Sequence, residues 1–286
     1  MRTLGVDVSH WEGSIDWKVA APTIGFAYYK CTDGVRFVDD QFENNQRGCN
    51  QAGLAHAPYH YYQPALDPIA QAEHFIHTAG KDYKKYIVDV EAPEREEDIT
   101  QKLQAFLERV EQLTATKPAI YTSAGYWNEF IHPKPGRVRR SLQPDWAMGY
   151  DLIVAHYTQA HQPILPVGWK AWRIWQFSDY WSFQGCNEMA DGNWFNGNTE
   201  ECKAWFGNSR GPQVPEPKEG NFKLRSLFEE LHIRQAPNMK ARITGKLGKG
   251  EMVEAEELGG NDVWVKHTRG WTAVERGGYR YMEVVK

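Results

Sequence analysis

The sequence predicts an α/β domain over residues 1–207 and a second, smaller domain over residues 221–286. In the first part, short apolar runs rich in β-branched and aromatic residues alternate with segments of helical periodicity. Residues 208–220 are rich in proline and glycine, which is typical of an extended linker. Strands separated by helices pair in parallel through right-handed crossovers, and about eight of them indicate a barrel.

Eight strands are predicted in chain order. They lie at residues 3–9, 25–31, 54–62, 86–91, 118–123, 151–158, 171–178 and 189–195. Helices are predicted at 39–52 and 67–79, the second opening with Asp67 as cap and Pro68 as first residue. A third helix begins at Ile99 with Asp98 as cap, because its apolar residues recur on one helical stripe. The poorly patterned region 133–146 favours an irregular barrel.

The central strand, residues 86–91, ends in two acids, Asp89 and Glu91, followed by Ala92 and Pro93. Residues two apart on a strand point to the same side, which places the two Cβ atoms roughly 6–7 Å apart. A buried carboxylate is costly unless its pKa shifts or it finds hydrogen-bond donors. An isolated Asp-x-Glu is most often part of a structural network, so the pair needs support from the rest of the chain.

That support comes from polar residues at the ends of other predicted strands. The carboxyl ends of barrel strands are where barrel enzymes collect their catalytic groups. The acids so placed are Asp7, Asp89, Glu91 and Asp191. Further polar residues in equivalent positions are Lys30, Asp33, Tyr61, Tyr121 and Gln176.

Composition excludes several classes of protein. A net charge of −4 gives no basic face for nucleic acid, and no apolar run approaches the roughly 18 residues of a membrane span. The amino end lacks the apolar core of a secretory signal. If the protein works outside a cell, we expect either release by a separate route or a secreted protein that lacks its leader.

The four cysteines match no metal-binding spacing, and they allow three full disulfide pairings or four thiols. We predict that Cys186 and Cys202 pair across the strand that carries Asp191. Cys31 with Cys49 is the second predicted pair.

Eight ordered motifs resemble glycoside hydrolase family 25, the Chalaropsis-type lysozymes, over residues 3–206. They are Gly5-Val6-Asp7-Val8-Ser9, Gly13-Ser14-Ile15-Asp16-Trp17, Lys30-Cys31-Thr32-Asp33-Gly34, Pro58-Tyr59-His60-Tyr61, Asp89-Val90-Glu91, Ile120-Tyr121-Thr122, Trp175-Gln176-Phe177 and Asp191-Gly192-Asn193-Trp194-Phe195-Asn196-Gly197. Three positions depart from the family pattern: Asp33 replaces a common glutamate, Ile153 a common aromatic residue, and Gly192 a usual aliphatic.

The resemblance implies a flattened (β/α) TIM-like barrel with a groove across the strand ends, and N-acetylmuramidase activity on bacterial peptidoglycan. It makes Glu91 the catalytic acid and Asp89 its partner, with Asp7 and Asp191 as two further acids. The substrate-binding residues that it implies are Lys30, Asp33, Tyr59, Tyr61, Tyr121, Tyr157, Trp175 and Gln176. It implies neither a cofactor nor a metal, and we expect a monomer with no nucleic-acid or membrane partner.

Glycoside cleavage needs a proton for the leaving oxygen and negative charge near the developing cation. Glu91 supplies the proton if its neighbours raise its pKa, and Asp89 is then the ionised partner. Asp89 could orient the substrate's own acetamido group for attack on the anomeric carbon, although a water-inverting route stays open.

Two other functions compete with this interpretation. A protein of the same fold could bind peptidoglycan without cleaving it. Glu73, His74 and His77, with His56 and His60 upstream, suggest a metal-dependent deacetylase, but residues 67–79 lie in a crossover helix away from the strand ends.

The last domain resembles a bacterial SH3 domain, a small β-barrel, and the resemblance implies cell-wall binding. The motifs are Leu231-His232-Ile233-Arg234-Gln235-Ala236-Pro237, Gly245-Lys246-Leu247-Gly248-Lys249-Gly250, Val263-Trp264-Val265-Lys266 and Gly270-Trp271. A purely structural role is the alternative, because a fold alone does not determine function.

Overall fold

The computed structural model describes residues 2–93, 99–131, 144–207, 223–236, 241–254, 257–259, 263–276 and 279–285. The chain divides into two compact units, Met1–Pro212 and Gln213–Lys286. The predicted linker, 208–220, and the predicted cap Asp98 lie outside the described residues.

Eight strands of the first unit close into a barrel surrounded by helices, as predicted. The closed circuit runs β1-β2-β4-β5-β6-β7-β8-β9 and returns to β1, while the two-residue β3 pairs only with β2. The strands are β1 (Thr3–Val8), β2 (Phe26–Asp33), β3 (Phe37–Val38), β4 (Ala55–Tyr61), β5 (Ile87–Asp89), β6 (Ala119–Ser123), β7 (Leu152–Ala155), β8 (Ile174–Trp181) and β9 (Ala190–Phe195).

The expectation of uniformly parallel pairing is wrong for the last strand. β9 runs antiparallel to both of its neighbours, β8 and β1. Residues 182–189, between β8 and β9, contain no helix and are too few to carry the chain back for a parallel crossover. The beginning of β9, with Asp191, therefore lies at the same edge as the carboxyl ends of the parallel strands.

Six α-helical segments accompany the barrel strands within the residues that the structure describes. They are α1 (Trp17–Ala20), α2 (Phe42–Ala52), α3 (Pro68–Ala79), α4 (Ile99–Thr114), α5 (Ala124–Tyr126) and α6 (Thr199–Phe206). A 3-10 turn spans His10–Glu12, a π-helical turn spans Trp127–Ile131, and a further 3-10 turn spans Asp145–Gly149. As predicted, Asp67 caps α3, its side chain accepting a hydrogen bond from the Ala70 amide at 2.7 Å.

Alternation along the strands divides the apolar residues into two cores. The luminal core fills the barrel, and α6 contributes to it through Phe206, which stacks on Phe26 at 5.3 Å between ring centroids. The outer core lies between the strands and the surrounding helices, and residues such as Val6 and Val8 of β1 belong to it. Successive side chains of a strand point to opposite faces of the sheet. Alternate residues of each strand therefore belong to the outer core, and the residues between them point into the lumen.

Gly192 is one of the three positions that depart from the family pattern, and the aromatic residues beside it explain the glycine. A Cβ atom at this position would lie 2.8 Å from Phe177 Cζ and 3.0 Å from Trp181 Cγ. Phe177 and Trp181 also contact each other, with ring centroids 5.1 Å apart. The rings occupy the volume that an aliphatic side chain at 192 would need.

We therefore expect Gly192→Val to destabilise the first unit by about 1–3 kcal/mol, the usual cost of overpacking. Urea unfolding followed by tryptophan fluorescence measures the loss. Phe177→Leu removes the nearest ring atom, so the double variant should lose less stability than the sum of the two single variants. Strictly additive losses would contradict the steric explanation.

All four cysteines carry free thiols, so the predicted disulfide pairs Cys186–Cys202 and Cys31–Cys49 are wrong. Cys202 is buried in the luminal core on α6, whereas Cys186 packs against the outer core near the carbonyl of Glu12. Two cysteines that bracket a strand in sequence need not lie on the same side of it, and these do not. Burial raises the pKa of the Cys31 and Cys49 thiols well above the usual value, which favours their protonated form.

The second unit is a small all-β structure with its own apolar core. Its described strands are β10 (Lys223–Ser226), β11 (Leu231–Arg234), β12 (Ile243–Leu247), β13 (Met252–Glu254), β14 (Glu257–Gly259), β15 (Val263–His267), β16 (Gly270–Arg276), β17 (Tyr279–Arg280) and β18 (Met282–Val285). They form sheets ordered β13-β10-β18 and β12-β11-β16-β15-β14, with β17 on β16. The core residues are Leu224, Leu231, Ile233, Leu247, Val253, Val265 and Met282. Across the described parts of both units, no helix has the length and apolar character needed to cross a bilayer.

Candidate active site

Most of the polar residues predicted to form the site lie at inward-facing positions of the barrel strands. On each strand they continue the register of luminal core residues nearer the other end, as Asp89 follows Ile87 on β5 and Gln176 follows Ile174 on β8. The lumen is thus apolar at one end and polar at the other. The inward residues at the polar end include Asp7, Lys30, Tyr59, Tyr61, Asp89, Tyr121, Gln176 and Asp191.

Gln176 is the central hydrogen-bonding residue of this end. Its Nε2 donates to Asp7 Oδ2 at 3.0 Å and to Asp191 Oδ2 at 3.0 Å. Its Oε1 accepts hydrogen bonds from the hydroxyls of Tyr121 and Tyr157, both at 2.8 Å. The two carboxylates fix the amide orientation, because the reversed amide would aim its oxygen at them.

Asn193 and Tyr28 belong to the same network, although they were not among the predicted site residues. Asn193 Nδ2 donates to Asp7 Oδ2 at 2.6 Å, and Asn193 Oδ1 accepts from the Tyr28 hydroxyl at 2.8 Å. Strand alternation could have identified both, because Asn193 lies two residues after Asp191 and Tyr28 two before Lys30.

Asp7 and Asp191 face one another across the antiparallel pair β1–β9. Burial raises the pKa of both carboxyls, and the charge of Asp7 contributes to raising that of Asp191 to about 9. Hydrogen bonds from Gln176 and Asn193 lower the pKa of Asp7, because they stabilise its ionised form. Burial and the closeness of the two carboxyls therefore disfavour double ionisation of the pair.

Asp89 is the most isolated acid of the group. It is buried, and its Oδ1 has no hydrogen-bond partner among the residues that the structure describes. Burial, followed by the charges of Glu91 and Asp7, raises its pKa well above the usual value, while Lys30 lowers it. A buried oxygen without a donor is a costly arrangement that a ligand can relieve.

Glu91 lies two residues beyond the end of β5 and is open to solvent on one side. Crowding of its carboxyl by protein atoms and the charge of Asp7 raise its pKa, whereas Tyr121 and Lys30 lower it. The predicted strand extended through Glu91, but regular pairing stops at Asp89. Glu91 is thereby placed at the open end, where an incoming molecule can reach its proton.

A β-bulge in β2 allows both Lys30 and Asp33 to face the site. The register with β4 shifts between Lys30 and Thr32, and Thr32 instead points outward to bond His60 at 2.8 Å. Lys30 Nζ lies 3.2 Å from Asp33 Oδ2 and 4.9 Å from the centroid of the Tyr61 ring. Bulges near active sites commonly re-aim side chains in this way.

The remaining predicted contact residues separate into two groups. Tyr59 packs against Tyr28 within the lumen, and Tyr157 is half exposed with its hydroxyl on Gln176. Trp175 is only 2% exposed, belongs to the outer core and donates to the carbonyl of His156 at 2.8 Å. The expected contact of Trp175 with substrate is therefore wrong, because it points away from the lumen that Gln176 faces.

The histidines that suggested a metal have other partners. His74 Nε2 lies 2.9 Å from the carbonyl oxygen of Phe37, and Glu73 forms an ion pair with Arg109 on α4 at 2.6 Å. Within the described ranges, no group of three or more His, Cys, Asp or Glu side chains has an arrangement that could hold a metal ion. The candidate chemical groups at the polar end of the barrel are Asp7, Asp89, Glu91 and Asp191.

Comparison with known proteins identifies the family. The sequence profile described as "Glycosyl hydrolases family 25" matches residues 6–186. Lysozyme M1 of Streptomyces globisporus is 31% identical over 220 residues, which cover 72% of this chain and 71% of that protein. N,O-diacetylmuramidase of Chalaropsis sp. is 23% identical over 214 residues, covering 66% and 94% respectively. The crystal structure of the bacterial lysozyme from Streptomyces coelicolor superposes with a TM-score of 0.62 at 27% identity, covering 72% of this chain and 97% of that one. This chain therefore belongs to family 25 of the glycosyl hydrolases.

Proposed function

We propose that the protein is a muramidase that hydrolyses the β-1,4 bond between N-acetylmuramic acid and N-acetylglucosamine in bacterial peptidoglycan. Family membership and relatives named lysozyme and N,O-diacetylmuramidase support this activity. One observation carries the mechanism. Asp89 Oδ1 is buried and has no hydrogen-bond partner among the described residues, and Glu91, two residues later, is open to solvent.

In this mechanism Glu91 donates the proton to the leaving oxygen, and Asp89 orients the acetamido group of the substrate. The acetamido N–H is a donor of the kind that Asp89 Oδ1 lacks, and its carbonyl oxygen attacks the anomeric carbon as the glycosidic bond breaks. A cyclic oxazolinium-type intermediate forms, and water then opens it with Glu91 acting as base.

Substrate binding also settles which acid holds the proton. Without substrate, burial and nearby carboxylates raise the pKa of both Asp89 and Glu91, which disfavours ionisation of both acids. A hydrogen bond from the acetamido N–H stabilises the ionised form of Asp89 and leaves the proton to Glu91. The hydrogen bond between the acetamido N–H and Asp89 thus has two effects. It positions the acetamido oxygen for attack, and it favours the protonated form of Glu91.

The other residues prepare the site electrostatically. Asp7 and Asp191 place negative charge beside the developing cation, and Gln176 and Asn193 hold them in position. Lys30, Asp33, Tyr59, Tyr61, Tyr121 and Tyr157 would contact the sugars in the groove. We propose that the protein acts as a monomer, with the whole site provided by the first unit.

Digestion of purified bacterial walls tests the proposal. A muramidase releases fragments whose new reducing end is N-acetylmuramic acid, identified by mass analysis after borohydride reduction. Fragments ending in N-acetylglucosamine would indicate the other glycosidic bond. Binding without release of reducing ends would support the non-catalytic alternative, and loss of acetyl groups from intact strands would indicate a deacetylase.

We further propose that the second unit is an SH3-like domain that binds the bacterial cell wall. Its all-β architecture and separate apolar core support a unit that folds independently of the catalytic barrel. Tethering a binding domain to an enzyme raises the local concentration of the active site at an insoluble polymer.

A protein truncated after Gly207 should keep its full activity on soluble glycan fragments, because the proposed site lies entirely before that residue. On whole sacculi it should lose activity by up to roughly 10²–10⁴-fold, the range of avidity effects. Co-sedimentation of the isolated segment 221–286 with walls is the matched binding measurement. Equal activity of both proteins on sacculi, without co-sedimentation of the segment, would leave the second unit a structural role.

A further inference from the structure

An exposed aromatic platform borders the proposed active site and has no role in the chemistry described above. It consists of His10, Trp11 and Phe37. Trp11 is 78% exposed and Phe37 44% exposed, although large aromatic residues are usually buried. The His10 ring lies between them, with ring centroids 4.5 Å from Trp11 and 5.9 Å from Phe37.

Hydrogen bonds hold each part of the platform in place. His10 donates its backbone N–H to Asp39 Oδ2 at 3.1 Å, and its Nδ1 lies 2.7 Å from the same oxygen of this buried acid. The turn that carries His10 and Trp11 is closed by Glu12, which accepts a hydrogen bond from the Ser9 amide at 2.6 Å. The hydrogen-bonded turn fixes the backbone of Trp11, so that binding a ligand on this residue orders little additional backbone.

Phe37 is fixed from a different direction. Its carbonyl oxygen lies 2.9 Å from His74 Nε2 on α3, so the histidine that suggested a metal ligand instead holds the short strand β3. The Lys30 ammonium lies 5.6 Å from the Phe37 ring centroid and 4.9 Å from that of Tyr61. Lys30 thereby connects the platform with the inward-facing residues of the site.

We propose that this platform is a binding subsite for a pyranose ring of the glycan strand, outside the two sugars that flank the scissile bond. The proposal rests on the muramidase function proposed above. One side of the Trp11 ring packs on His10, and its exposure leaves the other available to the apolar C–H face of a sugar. Continuity with the site through Lys30 favours the next part of the same polymer over a separate protein partner.

The test compares soluble, uncrosslinked glycan strands of two and of four or more disaccharide repeats. Trp11→Ala should raise KM for the longer strands by roughly tenfold, as expected for losing one buried ring face, with kcat nearly unchanged. For the shortest substrate the change should stay below about twofold. Trp11→Phe should recover part of the loss. Val19→Ala, which trims an exposed apolar side chain on α1, is the matched control and should change neither constant.

Direct binding separates this proposal from the proposed function. Calorimetric titration of the long glycan is carried out on the Glu91→Gln protein with and without Trp11→Ala, and the affinity should fall by the same roughly tenfold factor. If the wild-type protein cleaves no glycan but this difference persists, the muramidase proposal fails while the subsite stands. Equal KM changes for short and long substrates, or equal affinities of the two proteins, would overturn the subsite.

Discussion

Glu91→Gln is expected to lower kcat on bacterial walls by roughly 10²–10⁴-fold, the usual cost of removing a general acid. The amide has nearly the same shape but cannot donate an acidic proton to the leaving oxygen. Because Glu91 lies beyond the end of β5 and is open to solvent, the substitution should leave the fold and glycan affinity unchanged. Reducing-end release and a thermal melt measure the two properties separately.

The pH dependence provides a second measurement of the same assignment. Crowding and the charge of Asp7 raise the pKa of Glu91, so the wild-type protein keeps its catalytic proton to a higher pH than an ordinary glutamate. Activity should fall as pH rises through that elevated pKa. The residual activity of Glu91→Gln should lack this alkaline limb. Near-normal turnover of the variant would remove Glu91 from the mechanism.

The barrel could be predicted because its local signals agree with its tertiary structure. Each of the eight strands lies within two or three residues of its predicted bounds, and Asp67 with Pro68 opens α3 as expected. The reversed direction of β9 could not be derived from strand periodicity, which is the same for parallel and antiparallel strands. The absent helix between β8 and β9 was the available signal.

The candidate site was predictable wherever strand alternation alone decides the direction of a side chain. That rule places Asp7, Asp89 and Gln176 in the lumen, and it also excludes Trp175, which neighbours Gln176 in sequence. Resemblance to a motif gave Trp175 a role that its strand face does not allow. The joint inward placement of Lys30 and Asp33 depends on a bulge, and spacing by three residues does not reveal a bulge.

The partners within the network were less accessible to sequence reasoning. Gln176 bridges Asp7 and Asp191, which lie far apart in the chain, and only the antiparallel pairing of β9 with β1 brings those acids together. The aromatic platform likewise depends on a contact between distant segments, because His74 of α3 contacts the backbone carbonyl of Phe37. Contacts between distant segments depend on the closed barrel, and no local pattern encodes them.

Asp89→Asn is expected to lower kcat by roughly 10²–10³-fold, comparable to the loss of a positioned electrostatic group. The asparagine keeps one oxygen that can accept the acetamido N–H, but it lacks the negative charge that strengthens that bond as the internal nucleophile attacks. Asp33→Asn is the matched control, because Asp33 is also an acid beside Lys30 yet is predicted only to contact sugars. Its kcat should change by less than about tenfold.

A thiazoline-fused N-acetylhexosamine, which mimics the cyclic intermediate, distinguishes the possible roles of Asp89. If Asp89 orients the acetamido group, the thiazoline should inhibit the wild-type protein competitively and bind Asp89→Asn about 10²-fold more weakly, because intermediate mimics use the interactions that strengthen in the transition state. A glycan whose acetamido groups have been removed should be cleaved very slowly by both proteins. Rapid cleavage of that glycan, or trapping of a sugar covalently bonded to Asp89, would instead make Asp89 a nucleophile. Asp89 Oδ1 has no hydrogen-bond partner among the described residues. In that case this oxygen would bond to the anomeric carbon of the substrate instead of accepting a hydrogen bond from the acetamido N–H.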